Sequence, residues 1–97
     1  MYAVIFRAKF RKQDSKYSAT AKRMRELAIE KYGCTDFISS NENGYEIAIS
    51  YWENLEQIKS WKNDKEHMSA QQNGKSNWYE SYRVQITEII KEYDNNT

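Results

Sequence analysis

His67 is the only histidine in the chain. Imidazole is the one side chain that ordinarily titrates near neutrality, so it is the first group to consider for proton transfer. In that role His67 is a general base. In the plainer role it is a first-turn helix residue that bonds to backbone or to Glu66, or packs on a ring. The chain also carries three Trp and eight Tyr, and its aromatic share is 14%. Such amphipathic rings suit ligand walls and subunit interfaces as well as cores. Trp61 falls on an apolar stripe with Leu55 and Ile58, where it is either core filler or the wall of a ligand cavity. Trp52 and Trp78 fall near strand ends, which suits packing at a sheet edge or a dimer contact. Trp52 is in addition a candidate ligand contact.

Tyr79 and Arg83 have the even spacing that puts them on one face of a strand, with Ser81 and Gln85. Tyr79 is a candidate cavity wall. Arg83 could face an anionic ligand, or the polar face could form a hydrogen-bonded network between subunits. Arg7 and Lys9 are similar candidates near the start of the chain. Solvated or paired charges are the plainer reading of all three.

Other chemistries lack their residues. There is no Gly-rich phosphate loop. Neither H-x-x-x-H nor C-x-x-C metal spacing occurs, and the carboxylates are scattered without a convincing pair. Any chemistry is therefore expected to proceed without a metal or another cofactor. With 15 basic and 14 acidic residues interspersed, the net charge is +1. That balance gives no footprint for nucleic acid or an anionic membrane. The single cysteine, Cys34, cannot form an intrachain disulfide and fits a reducing compartment. The opening run Tyr2-Ala3-Val4-Ile5-Phe6 is too short for a signal h-region, and no stretch approaches the ~20 apolar residues of a membrane helix. A cytoplasmic location is the expectation.

The elements that must position these side chains follow from periodicity. The 97 residues make room for one domain, residues 1–97, with one modest core. Residues 2–11 alternate as a strand, with Tyr2, Val4, Phe6, Ala8 and Phe10 on one face. Residues 15–32 form a helix that Asp14 or Ser15 can cap and Gly33 ends. Residues 34–41 and 45–53 make a hairpin around Asn43-Gly44. Its second strand sets Tyr45, Ile47, Ile49 and Tyr51 against Glu46, Ala48, Ser50 and Trp52. Asn54 and Gln57 form a capping box for a second helix. Asp64 caps a further short turn bearing His67, Ala70 and Gln71, which Gly74 closes. Residues 77–91 form a long last strand.

The resulting order is βαββαβ, an α+β ferredoxin-like arrangement with a four-stranded antiparallel sheet. Helices on one face leave the other face bare, and bare apolar sheet is unfavourable in water. A homodimer would cover it. RNA would be another cover, as in RRM domains, but the register from Asn43 to Ser50 matches that signature only at Gly44 and Tyr45. Glu46 puts an acid beside the would-be stacking ring, and Ile47 replaces the second ring.

From residue 50 onward the pattern becomes specific. Ser50-Tyr51-Trp52-Glu53, Ile58, Trp61-Lys62, Glu66-His67, Ala70-Gln71, Gly74 and Trp78-Tyr79-x-x-Tyr82, taken in order, resemble the antibiotic biosynthesis monooxygenase family. The opening strand and first helix agree, so the resemblance spans nearly the whole chain. It implies a dimeric α+β barrel, with sheets facing each other and helices outside. It also implies small aromatic or quinol-like substrates, or heme in one branch, and it puts the Trp61 position at the ligand cavity in several members. The heme branch has an axial histidine about ten residues after the helix tryptophan. Here that position is Gln71, and the branch's first-strand asparagine has no match in residues 2–11. Two classes of function remain. One is a cofactor-independent monooxygenase for a phenolic or quinol-like aromatic, with His67 as base, Arg83 or Arg7 holding the anion, and Trp61 and Tyr79 as walls. The other is a non-catalytic small-ligand binder or accessory protein with the same barrel.

Overall fold

The computed structural model describes residues 1–95. The strands are β1 (Tyr2–Phe10), β2 (Asp36–Glu42), β3 (Tyr45–Trp52) and β4 (Tyr79–Glu88), and the helices are α1 (Tyr17–Glu26), α2 (Leu55–Lys62) and α3 (Lys65–Asn73). All pairings are antiparallel and the spatial order is β2-β3-β1-β4. The expected α+β, ferredoxin-like arrangement is therefore present, with α2 and α3 together filling the second helical segment.

The local signals act as their chemistry requires. Asn43 and Gly44 both have positive φ, 52° and 78°, which is the pair a two-residue hairpin turn needs. Gly33 ends the first helical segment in the left-handed region. The Asn54 side chain accepts from the Gln57 N–H at 2.9 Å, and the Gln57 side chain reaches back to the Asn54 N–H. This capping box starts α2 three residues after the β3 end.

Several boundaries differ from expectation; among them, β2 begins at Asp36 rather than at 34 and β4 ends at Glu88 rather than at 91. Asp14 does not cap α1 directly; its carboxylate accepts from the Lys16 N–H at 2.9 Å, one residue before the helix. The first helix widens after Glu26 into a π-helical turn, Leu27–Lys31. Gly74 does not close α3. It stays helical at φ −57° and opens a second π-helical turn, Gly74–Trp78, so β4 starts at Tyr79 rather than at 77. Glycine stands there for closeness, since a Cβ would lie 2.8 Å from the Tyr79 ring.

Val4, Leu27, Ala28, Phe37, Trp52, Ile58 and Trp61 belong to the core between sheet and helices. The sheet face beneath the helices includes Glu46, Ala48, Ser50 and Trp52 of β3, all buried. The opposite face carries Tyr45, Ile47, Ile49 and Tyr51, with Ile5 and Ile38 on neighbouring strands. There Ile38, Tyr45 and Ile47 are exposed.

Trp52 is fully buried at 0% exposure. Its removal would leave a cavity as well as lose transfer energy. Trp52→Ala is expected to cost about 3–5 kcal/mol in urea unfolding. A loss near zero would remove this ring from the centre of the core.

Candidate functional site

The inner face of β3 is lined with small groups at its middle. Ala48 and Ser50 cannot fill the space beneath α1 and α3. A cavity of about 270 Å³ results, floored by Val4, Phe6, Ala48 and Ser50 and walled by Tyr17, Met24, Trp61, His67, Trp78 and Tyr79. That size lies near the lower end of ligand pockets, roughly 300–1,000 Å³. Its lining is mostly apolar, Lys22, Arg25 and Lys62 border it, and two groups of buried polar atoms face it.

The first cluster stands where α2 meets α3. The Trp61 ring lies 5.1 Å from Trp52 and edge-on to Phe37 at 6.2 Å. His67 meets Trp61 edge-on at 4.4 Å. Trp61 Nε1 and His67 Nδ1 are both buried and, like Trp78 Nε1 elsewhere on the lining, have no hydrogen-bond partner among the described residues. The scaffold around them is tied down. Asp64 caps α3 by accepting from the Glu66 N–H at 2.8 Å, and it also accepts from the Tyr32 hydroxyl at 2.6 Å. Glu66 turns away from His67 and takes both ends of the Arg23 guanidinium, at 2.8 and 3.0 Å, which joins α1 to α3. Burial pushes the His67 pKa down to about 4, and the Lys62 charge adds to this. His67 is therefore a neutral imidazole at neutral pH.

The second cluster was not singled out from sequence. The buried Glu46 carboxylate accepts from the Tyr17 hydroxyl at 2.5 Å and from the Tyr79 hydroxyl at 2.8 Å, both on Oε1. Burial, reinforced by the Glu46 charge, holds both phenols well above the usual tyrosine range. They remain protonated donors. Phe10 and Trp78 pack edge-on against the Tyr17 ring at 5.1 and 5.6 Å. The available signal was phase: Glu46 alternates with Ala48, Ser50 and the fully buried Trp52.

Of the residues expected at a site, His67, Trp61 and Tyr79 line this one cavity, as does Gln71. The other three do not. Trp52 lies behind Trp61, with its N–H donating to Ser50 Oγ at 2.8 Å. Arg7 and Arg83 face each other across β1 and β4 on the opposite side of the sheet, both exposed. Tyr79 and Arg83 were expected on one face, and a register shift separates them. Lys9 pairs with Ser81, but Phe10 pairs with Tyr79, so Glu80 is an extra residue on β4. Such a bulge reverses the phase of every side chain before it. It turns Tyr79 inward beside Phe6 and Phe10. Trp78, expected at an edge or dimer contact, is buried and lines the cavity.

The buried histidine has a consequence for stability. An unfolded histidine takes up a proton near pH 6.5, whereas folded His67 resists until about 4. The stability it contributes is present above about pH 6.5 and is lost as the pH falls from there toward 4. Asp64 and Glu66, held low by Tyr32 and Arg23 respectively, act only below the ordinary carboxylate range. The melting temperature should therefore decline between pH 6.5 and 4.5. His67→Gln should flatten that segment; an unchanged slope would assign it to another group.

No family model matches the chain. It is 37% identical over 92 residues to the uncharacterised protein YqjZ of Bacillus subtilis, covering 94% of this chain and 81% of that one. Among solved structures it superposes on Rv0793 of Mycobacterium tuberculosis with a TM-score of 0.81 at 14% identity, covering 96% and 98% of the two chains. SnoaB of Streptomyces nogalater, a cofactor-independent oxygenase, gives a TM-score of 0.78 at 6% identity, covering 94% of each. An antibiotic biosynthesis monooxygenase gives 0.69 at 11% identity, covering 94% and 100%. The chain thus belongs to the family of Bacillus subtilis YqjZ, with the fold of the antibiotic biosynthesis monooxygenases.

Proposed function

We propose that this protein is a cofactor-independent monooxygenase that acts, as a homodimer, on a small phenolic or quinol-like aromatic. The observation that carries this is the pair of unpartnered buried groups in an aromatic cavity, Trp61 Nε1 and His67 Nδ1. A ring hydroxyl satisfies both. It donates to the imidazole nitrogen and accepts from the indole N–H. The fold shared with SnoaB is further support.

Ground-state oxygen is a triplet and reacts slowly with closed-shell molecules, but an electron-rich phenolate can reduce it directly. His67 takes the hydroxyl proton. The phenolate that forms is itself the countercharge that raises the imidazole's affinity for that proton. The Trp61 N–H holds the anionic oxygen. Electron transfer to oxygen, then radical recombination at a ring carbon, gives a hydroperoxide. Loss of water leaves the quinone. The balance is arene C–H plus O₂ to C=O plus water, with the second hydrogen coming from the hydroxyl.

Oxygen uptake with a dihydroxynaphthalene is the test. His67→Ala should lower the rate by roughly 10²–10⁴. Since His67 is already neutral well below pH 6, uptake limited by this base should not step near pH 6.5; its fall belongs near pH 4. Uptake that ignores the substitution would remove His67 from the mechanism. Tight binding without any uptake would leave a ligand-binding barrel.

The homodimer rests on the uncovered sheet face, where Ile38, Tyr45 and Ile47 are 52%, 48% and 45% exposed. Sedimentation at micromolar concentration should give about twice 11.6 kDa. Mutating Ile47→Glu should shift the protein to monomer, with a large interface, on the order of 2,000 Å² or more, lost. A wild-type monomer at that concentration would overturn the assembly.

A further inference from the structure

The cavity has a second polar end that the oxidation step does not use. Glu46 lies four residues before Ser50 on β3, and Trp61 stands beyond Ser50, over Trp52 and Phe37. At about 3.3 Å per strand residue the two polar ends are roughly 13 Å or more apart along the sheet. The apolar floor of Val4, Phe6 and Ala48 separates them.

Glu46 is an unusual lining for an otherwise apolar hollow, being only 7% exposed. Its Oε1 is occupied twice, by Tyr17 and Tyr79. Among the described residues no group bonds to Oε2. A carboxylate has room for about four hydrogen bonds, so acceptor capacity remains. Both tyrosines are protonated donors committed to Oε1, which fixes the rotation of the carboxyl group. The carboxylate of this end is thus an acceptor, and it is met by a hydrogen-bond donor; the one buried donor beside it without a hydrogen-bond partner among the described residues is Trp78 Nε1, on a ring 5.6 Å from Tyr17.

We propose that Glu46, oriented by Tyr17 and Tyr79, binds a second hydroxyl of the ligand, so that the substrate is a flat fused aromatic with a hydroxyl at each end. This rests on the function proposed above and narrows it. One hydroxyl lies at His67 and Trp61, where the proton is removed. The other donates to Glu46 and sets which ring carbon meets oxygen. Glu46 is a binding residue here, and Tyr17 and Tyr79 are positioning residues.

The two tyrosines also determine what a substitution does. In Glu46→Gln the amide oxygen must take the place of Oε1, because two hydroxyls donate to it. The amide nitrogen then occupies the Oε2 position, and the acceptor end becomes a donor end. The variant should prefer an ether or carbonyl where the wild type prefers a hydroxyl.

Isothermal titration calorimetry with 2,6-dihydroxynaphthalene and 6-methoxy-2-naphthol tests this. The methoxy compound has one donor and leaves one end without one, whichever way it enters. Hydrogen bonds to charged groups discriminate on the order of tenfold to a hundredfold. Wild type should therefore bind the diol at least about tenfold more tightly. Glu46→Gln should bring the ratio to one or below, by weakening the diol and strengthening the ether. If wild type binds both compounds equally, the second site is overturned while the proposed oxidation stands. If it binds neither, both fall. Should Glu46→Gln fail to fold by circular dichroism, the wild-type ratio alone decides, and Tyr79→Phe supplies the variant. It keeps the carboxylate and leaves Tyr17 donating to Oε1, which suffices to orient it, so the preference for the diol should persist, weakened at most; its complete loss would overturn the assignment to Glu46.

Discussion

The inner face of β3 is the constraint on which the molecule turns. A strand alternates with period two, so burying Trp52 commits Ser50, Ala48 and Glu46 to the same side. The small groups leave a hollow beneath the helices, and the acid is carried into it. The same alternation sends Tyr45, Ile47, Ile49 and Tyr51 to the outside. One choice of phase thus makes the cavity, buries its carboxylate and leaves an apolar sheet face in water. A slip of one residue would exchange these sets, fill the hollow with isoleucine and expose Trp52.

Burying a carboxylate costs several kcal/mol unless hydrogen bonds replace its water. Two phenol hydroxyls do so here, and charge-assisted bonds of this kind contribute roughly 1.5–3 kcal/mol each. Tyr17 arrives simply, as the first residue of α1. Tyr79 arrives only because two local features permit it. The extra residue Glu80 rotates Tyr79 onto the helix side, and Gly74 leaves room for its ring. Glu80 stays outside, paired with Lys9 at 3.2 Å. The bulge therefore sorts two adjacent side chains, one to the surface and one to the buried acid, which unbroken pairing could not place in this way.

What was legible in the sequence was local. The order of elements, the Asn43-Gly44 turn and the Asn54 and Gln57 box rest on interactions within a few residues and formed as read; on the expected buried side of α2, Ile58 and Trp61 are buried but Leu55 is 49% exposed. The cavity residues His67 and Trp61 were legible by type and helical spacing. The missed features share a cause, which is that they depend on partners distant in sequence. The alternation of β3 does not by itself say which of its two faces is the inner one, so Glu46 stood out only as an obstacle to RNA binding. Even spacing placed Tyr79 with Arg83, and a bulge is silent in a single strand's pattern because it is a property of the pairing. Gly74 looked like a helix end for the same reason: the ring it accommodates belongs to the next element.

Trp61 Nε1 and His67 Nδ1, buried without partners among the described residues, are a standing cost of about 1–3 kcal/mol for each group. Against a typical total stability of about 5–15 kcal/mol that is a large share. A ligand hydroxyl between Trp61 and His67 removes it, so occupancy and stability are coupled by the same atoms that would do the chemistry. Burial also disfavours the imidazolium, and it does so most when nothing negative is near. A bound phenol changes that balance, because removing its proton creates the countercharge at the point where the cation forms. In the proposed oxidation, proton transfer would then be favoured with substrate in place, and the electron-rich anion would form within the aromatic hollow, at the molecule that fits there.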